Sequence, residues 1–249
     1  RPAGRKKVMT PPVVKVLLQE KNSSVELLQP EKLSEIAARL RELQPDLFVV
    51  AAYGKIIPQS ILDIPRLGTI GVHPSLLPRH RGATPLQSAI LSGDDKTGMT
   101  LYLMDSAVDH GPILASKELA IGNMDYLELE AALATIGSEL LLETLPKMLA
   151  GDIEPKVQDE SKANLVGKFD ADNAFVPWTE LEQAVGGDKD SALKIWRKIR
   201  AFNPEPGAWT LKGDLRIKLL KADMENDALV LREIQRAGKT PERFLGKLP

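Results

Sequence analysis

The chain has 249 residues, 43% of them hydrophobic and 27% charged, and a net charge of −1, the profile of a globular protein with room for one large domain or two ordinary ones. It contains no cysteine, which excludes disulfides, thiolate nucleophiles and thiolate zinc sites, and no apolar run approaches the roughly 18 residues that span a bilayer. The charge is uneven: residues 191–249 carry 13 Lys/Arg against 7 Asp/Glu, and the first 190 carry 20 against 27. A basic carboxyl-terminal region on an acidic body suits an anionic partner such as nucleic acid, and suits a solvated charged face equally well.

The opening RPAGRKKVMTPP lacks the apolar stretch of a secretion signal. From Pro30 onward, Leu33, Ile36, Ala37, Leu40 and Leu43 recur at helical spacing. Asp46 leads into LFVVAA, a continuous apolar run that reads as a strand buried on both faces. PQSILDIP is a short helix or turn, and LGTIGVH a second strand. TPLQSAILSGD is a helix with Thr84 at the N-cap and Pro85 at the first helical position. TGMTLYLMD and PILASKELAI are the third and fourth strands, and DYLELEAALATIGSELLLETLPKMLAGD is a long, largely apolar helix stopped by Gly151. Helices alternating with buried strands predict an α/β open sheet.

The polar stretch GDIEPKVQDESKANLVGK has no clear period and reads as a linker. The expected bounds are a first domain at 1–152, a linker at 153–168 and a smaller, mostly β domain at 169–249. Within the last, DKDSALKIWRKIRAF puts Ala192, Ile195, Trp196 and Ile199 on one helical face. AFNPEPGAWTLKGDLRIKLLKAD then turns and alternates as paired strands around a Lys-Gly-Asp hairpin turn. The positions of Trp196, Phe202 and Trp209 favour core packing over base stacking.

All three histidines, His73, His80 and His110, fall within 38 residues. His73 ends the strand LGTIGVH, at the carboxyl edge where open α/β sheets carry their sites, and Pro74 and Pro78 fix the chain direction after it. Asp109 follows in the turn VDHG, past the strand TGMTLYLMD; if the two strands are neighbours, the two side chains emerge at the same end of the sheet. A carboxylate beside an imidazole orients it and raises its pKa, as suits a group that takes a proton near neutrality. The plain alternative is a histidine capping a strand and an aspartate in a tight turn. His80, between Arg79 and Arg81, reads as part of an exposed basic loop, and His110 as a ligand contact or a solvent-facing neighbour of Asp109. The spacings match no metal-ligand pattern such as HExxH, so no metal site is expected.

The segment HPSLLPRHRGATPLQSAILSGDDKTGMTLYLMDSAVDHGPIL closely resembles the core signature of the folate-dependent formyltransferases. That signature runs Asn-x-His-x-Ser-Leu-Leu-Pro, a basic Arg-Gly turn, Gly-x-Thr and a closing Asp-x-Gly. RPAGRKK, AAYGKIIP, the VQDE run of the linker and RAFNPEPGAW are similar to those members that formylate an aminoacyl-tRNA. The resemblance implies a Rossmann-like catalytic domain followed by a smaller, OB-like β-barrel domain. It implies 10-formyltetrahydrofolate as formyl donor and the α-amino group of initiator methionyl-tRNA as acceptor, in translation initiation. It gives catalytic roles to His73 and Asp109, and a folate site to Ser75, Leu76, Leu77 and Pro78 with Tyr53, Gly54 and Val108 around the pocket. Contacts to tRNA fall to Arg5, Lys6 and Lys7 and, in the second domain, to Arg197 and Arg200. It further implies a monomer in a bacterial cytosol or organelle matrix, with neither DNA nor a membrane as partner. In chemical terms the amine attacks the formyl carbon, an oxyanion develops, the amine loses a proton and the folate nitrogen regains one. That suits a histidine oriented by an aspartate, in a pocket kept dry by Val72, Leu76, Leu77 and Val108.

The sequence departs from the signature in several places. The asparagine two residues before the histidine is Gly71 here, and losing one oxyanion donor typically costs about 10²–10³ in rate, so a slow or inactive protein is expected. The family's first βαβ unit has no counterpart ahead of Arg1, which predicts a bare hydrophobic sheet edge. The carboxyl domain is a strand pair short, and Pro177 precedes Trp178 where the family commonly has an acidic residue. Three rival readings follow: a formyltransferase acting on an amino sugar with the same His73 and Asp109 chemistry, a hydrolase that deformylates the folate, and a non-catalytic RNA- or folate-binding relative suggested by Gly71.

Overall fold

The computed structural model describes residues 2–3, 8–9, 11–21 and 24–244. The chain forms two compact units, residues 1–45 and 46–249. In the first, β1 (Pro2–Ala3) pairs antiparallel with β2 (Val8–Met9), and α1 (Val13–Glu20) and α2 (Ala37–Glu42) follow. The helical period from Leu33 to Leu43 appears as a 3-10 turn, Leu33–Ile36, running into α2. Arg39 of α2 is paired with Glu26 at 2.9 Å.

The second unit opens with β3 (Phe48–Ala51), α3 (Gln59–Leu62), β4 (Thr69–His73), β5 (Arg81–Gly82) and α4 (Pro85–Ser92). Next come β6 (Lys96–Leu103), β7 (Ile113–Ala120) and α5 (Tyr126–Ala150). β3, β4, β6 and β7 form one sheet in that order, with β4 parallel to β3 and antiparallel to β6, and β6 antiparallel to β7. The α/β sheet is therefore mixed. One of its faces carries Ile70, Met99 and Leu101, which pack against Leu86 and Ile90 of α4 and Leu129, Leu133 and Leu140 of α5. β3, read from sequence as buried on both faces, lies at the edge of this sheet, and its burial alternates, with Val49 exposed.

Local signals fix the helices. Asp125 and Glu128 form a reciprocal capping box at the start of α5, and Gly151 ends it in the left-handed conformation. Thr84 occupies the N-cap of α4 ahead of Pro85 but does not cap it; its hydroxyl instead donates to the Gly167 carbonyl at 2.6 Å.

Beyond α5, β8 (Leu165–Val166) pairs in parallel with β5. α6 (Trp178–Val185) and α7 (Lys189–Phe202) precede β9 (Trp209–Lys212), β10 (Leu215–Glu225), β11 (Ala228–Arg236) and β12 (Glu242–Arg243). These four strands make a second, antiparallel sheet in the order β12, β11, β10, β9. Lys212 pairs with Leu215, so Gly213 and Asp214 form the tight turn expected at Lys-Gly-Asp. Leu181 of α6 and Ile195 and Ile199 of α7 pack on Ile217, Leu219, Leu229 and Ile234. The last turn of α7 sends Ala201 and Phe202 into the core of the first sheet, so one helix joins both cores. Phe202 packs edge-on against Phe169 at 5.1 Å, and Trp209 donates its indole N–H to the Ala171 carbonyl; both are structural, as their positions imply. Among the described residues no helix is long and apolar enough to cross a membrane.

Candidate functional site

Gly71 lies opposite Tyr102 and His73 opposite Thr100 in the antiparallel pairing of β4 with β6. The carboxyl end of β4 therefore meets the interior of β6, and the two strands do not deliver His73 and Asp109 to one rim. The connection after β6 doubles back instead, closed by Leu103 N–H to the Pro112 carbonyl at 2.9 Å. This brings Asp109 over the face that carries Gly71, His73 and Tyr102. Its Oδ2 lies 3.4 Å from His73 Nδ1 and accepts Gly82 N–H at 2.7 Å, while Oδ1 accepts the Tyr102 hydroxyl at 2.7 Å. Asp109 and His80 both adopt left-handed backbone, with φ of 48° and 58°, a conformation that costs a non-glycine residue and concentrates at functional sites.

The other ring nitrogen of His73 settles the tautomer. Nε2 lies 2.9 Å from the His80 carbonyl, which only accepts, so Nε2 carries the hydrogen and Nδ1 of the neutral ring presents its lone pair towards Asp109. Burial lowers the His73 pKa from its ordinary value, outweighing the pull of Asp109 and of the His80 carbonyl. This reverses the direction expected from sequence, because the ring is almost wholly removed from water and its charged form loses hydration. The resting pair is thus a neutral imidazole and a carboxylate with room for one proton between them.

The loop after His73 is held from several sides. Thr100 donates to the Ser75 carbonyl at 2.7 Å and accepts Leu77 N–H at 3.2 Å, and the Ser75 hydroxyl donates to the Arg79 carbonyl at 2.6 Å. His80, expected on an exposed loop, is buried: its left-handed backbone turns the ring inward, where Nε2 meets Asp94 at 2.7 Å. Burial pulls the Asp94 pKa up, but Arg79 and His80 more than offset this and leave it below the usual carboxylate value. Arg81, also buried, holds Gln158 Oε1 at 2.8 and 3.1 Å and Glu160 at 2.6 and 3.0 Å. Gln158 Nε2 in turn donates to the carbonyls of Asp109 and Gly111 at 3.0 and 2.7 Å. At Gly82 a Cβ would sit 2.4 Å from the Val166 carbonyl, so only glycine lets β8 close on this loop.

Sequence reasoning singled out His73 and Asp109, which the fold brings within 3.4 Å, but did not single out Tyr102, Thr100, Gln158 and Asn164 around them, the last of which accepts His80 N–H at 2.7 Å. Of these only Gln158 had a sequence signal, the VQDE run. The residues read as a folate site divide into two groups. Ser75 and Leu77 are buried in the loop, with Leu76 packed over Gly98 and Pro78 half-buried. Tyr53 and Val108 are exposed: Tyr53, with Gly54, follows the end of β3, whose Ala51 pairs with Val72, and Val108 adjoins Asp109. His110 is half-exposed and bonds Asp105 at 2.6 Å rather than Asp109. Arg5, Lys6 and Lys7 lie outside the described residues.

Arg200, read from sequence as a tRNA contact, is buried. Its guanidinium donates to the Gly122 and Met124 carbonyls at 2.7 Å and stacks 4.2 Å from the Trp196 ring, so its donors are engaged inside the protein. Arg197 is half-buried, its guanidinium so close to Gly93 that a Cβ there would meet it at 2.1 Å. Arg200 docks α7 against the connection before α5 through these carbonyls, and Arg197 lies against Gly93 at the end of α4. A cavity of about 640 Å³ opens on that side, lined by Asp125, Glu128, Trp196, Arg200 and Lys221; it shares no residue with the His73–Asp109 pair.

Comparison with known proteins bears on both parts of the chain. Residues 1–145 match the family described as formyl transferase, and residues 189–229 match formyl transferase, C-terminal domain. The methionyl-tRNA formyltransferase of Halorhodospira halophila is 41% identical over 224 residues, which cover 89% of this chain and 68% of that protein. The solved structure of a methionyl-tRNA formyltransferase from Clostridium thermocellum shares the fold, with a TM-score of 0.61 at 19% identity over 93% of this chain and 92% of the other. HypX from Aquifex aeolicus in complex with tetrahydrofolic acid aligns with a TM-score of 0.67 at 19% identity over 91% of this chain and 42% of the other.

Proposed function

Because this chain belongs to the formyl transferase family, we propose that it moves the formyl group of 10-formyltetrahydrofolate onto the α-amino group of initiator methionyl-tRNA, with His73 and Asp109 at the reacting atoms. The observation that carries the assignment of these two residues is their buried pairing at 3.4 Å, with the imidazole lone pair facing the carboxylate. The formyl donor is a co-substrate consumed in the reaction. The amine nitrogen bonds to the formyl carbon, the bond from that carbon to the folate nitrogen breaks, and the products are a formamide and tetrahydrofolate. The proton lost by the amine is taken up between His73 Nδ1 and Asp109 Oδ2 and returned to the departing nitrogen. Burial favours the neutral imidazole, which is the form that accepts a proton.

The Ser75 hydroxyl and carbonyl are engaged within the loop and Leu77 is buried in it, so the contribution of residues 75–78 to the folate is apolar surface from Leu76 and Pro78, backed by Leu77. Tyr53, Gly54 and Val108 extend it, a lining that suits a flat reduced pterin. On this reading residues 1–152 form the catalytic domain, 153–168 the linker and 169–249 the domain that meets tRNA, with Arg5, Lys6 and Lys7 contacting RNA from the other end of the chain. The protein acts as a monomer on RNA rather than DNA, in a bacterial cytosol or an organelle matrix.

The test is transfer of labelled formyl from 10-formyltetrahydrofolate to charged initiator tRNA. The wild-type chain forms formyl-methionyl-tRNA, and His73→Asn or Asp109→Asn lowers kcat by about 10²–10⁴, the usual worth of positioned acid–base groups. Turnover within a few-fold of wild type in both variants, or product on an amino sugar and none on tRNA, overturns the assignment.

A further inference from the structure

Tyr102 is the direct cross-strand partner of Gly71. A Cβ built on Gly71 would lie 2.4 Å from Tyr102 Cε1, 2.5 Å from Cζ and 2.7 Å from the hydroxyl oxygen, so the phenol fills the space a side chain at 71 would need. By ordinary bond lengths, the amide nitrogen of an asparagine lies about 2.4 Å from its own Cβ. A hydrogen-bond donor is therefore present in the shell that an amide at 71 would reach. An aromatic ring over a strand glycine is also a common way to cover bare backbone, and phenylalanine serves that purpose equally well. The hydroxyl is what covering leaves unexplained. It is buried and donates to Asp109 Oδ1, while Oδ2 receives Gly82 N–H and faces His73.

Resting on the formyl-transfer reading above, we infer that Gly71 and Tyr102 work as one unit, in which the tyrosine hydroxyl holds the Asp109 carboxylate against His73 Nδ1 in place of a donor borne by residue 71. Tyr102 acts through Asp109 and is a positioning residue. Burial, then the nearby Asp109 carboxylate, push ionisation of the phenol well above its ordinary value, so it remains a donor throughout the working range. The groups that face Asp109 are His73 from β4, Tyr102 from β6 and the Gly82 amide of β5; Arg81 is linked to it through Gln158, and Asp105 acts on Tyr102. On this view glycine at 71 is the condition for seating the tyrosine; it does not return an oxyanion donor, because the one hydrogen of the phenol is engaged at Asp109 Oδ1.

The test is steady-state formyl transfer across the pH range, with melting temperatures measured alongside. Tyr102→Phe is expected to melt near wild type with KM little changed and kcat lowered about 10- to 100-fold, the loss of one hydrogen bond to a charged group. Its acid limb of kcat/KM moves to lower pH, because a carboxylate no longer held against His73 does less to raise the imidazole's pKa. Gly71→Asn alone loses both stability and rate, since the ring is anchored and does not vacate the space. Adding Tyr102→Leu makes room, and the double variant turns over at least about tenfold faster than Tyr102→Leu by itself, the return expected of a restored donor. Wild-type kcat and an unmoved profile in Tyr102→Phe overturn the inference, as does a folded double variant no faster than Tyr102→Leu. Should Tyr102→Phe fail to fold, that second comparison decides. A wild-type chain that makes no formyl-methionyl-tRNA overturns the functional reading and this inference together, whereas an active wild type with an indifferent Tyr102→Phe overturns this inference alone.

Discussion

Replacing Gln158 with alanine tests whether the supposed linker is part of the site. The side chain is 5% exposed and makes four hydrogen bonds: two from its amide to the Asp109 and Gly111 carbonyls, and two accepted from Arg81. Gln158→Ala leaves two carbonyls and part of a buried guanidinium without these partners. An orphaned buried polar group costs about 1–3 kcal/mol; water admitted to the vacated space recovers part, and Glu160 still holds Arg81. A net loss of roughly 2–4 kcal/mol follows, near the upper end for single substitutions. At about 2–4 °C per kcal/mol for a chain of this size, melting falls by roughly 5–15 °C. Activity measured well below the new midpoint is also expected to fall, because the Asp109 backbone loses the tether that keeps its left-handed turn over the sheet. Urea titration and formyl transfer read the two effects separately. A variant within about 0.5 kcal/mol of wild type, the range of an ordinary surface change, with full turnover refutes the reasoning and returns residues 153–168 to the role of a passive connection.

Two further outcomes follow from the same structure. Because the His73 pKa is lowered from 6.5 in the fold, the unfolded chain binds the extra proton first as pH falls. The folded state is therefore progressively destabilised below about 6.5 and has its full stability above it; urea midpoints against pH show this slope, and His73→Gln flattens it. Arg200→Met removes donors from the Gly122 and Met124 carbonyls and is expected to cost about 2–3 kcal/mol in stability. The salt dependence of tRNA binding should stay unchanged, whereas a slope smaller by about one marks a true phosphate contact.

What the sequence made legible was local. The start and stop of α5 were written in neighbouring residues, Asp125 with Glu128 at one end and Gly151 at the other, and these signals act within one helical turn. The pairing of His73 with Asp109 was argued from strand ends and made specific only by the family signature, because strand order and direction are not local properties. The expected meeting at one rim failed for that reason: antiparallel β4 and β6 require the loop after β6 to fold back, and nothing in LYLMDSAVDHG reports its path. Arg200, given to tRNA by the resemblance, is turned inward instead. Its spacing of four from Trp196 places it beside that ring on α7, and a guanidinium that stacks on an indole and caps two carbonyls is satisfied without water.

Gln158, Asn164 and Val166 show why a stretch without periodicity can still be ordered. Periodicity reports one face buried against a continuous core, and residues 156–167 bury no such face. They offer single polar groups, each to a different point of the chain between His73 and Thr84: a carboxamide to Arg81, another to His80 N–H, a carbonyl to Ala83 N–H. That loop contains two features unstable on their own, a buried guanidinium and a left-handed histidine, and each is held by a partner at least 77 positions away in sequence. The geometry of the His73–Asp109 pair therefore depends on chain that joins the two sheets. The His80 carbonyl that fixes the His73 tautomer is oriented by Asn164, and the Asp109 carboxylate that faces His73 is carried on backbone tied by Gln158. A substitution anywhere along that connection is expected to act first on turnover, through the orientation of two side chains it does not touch, and only then on the cooperative stability of the fold.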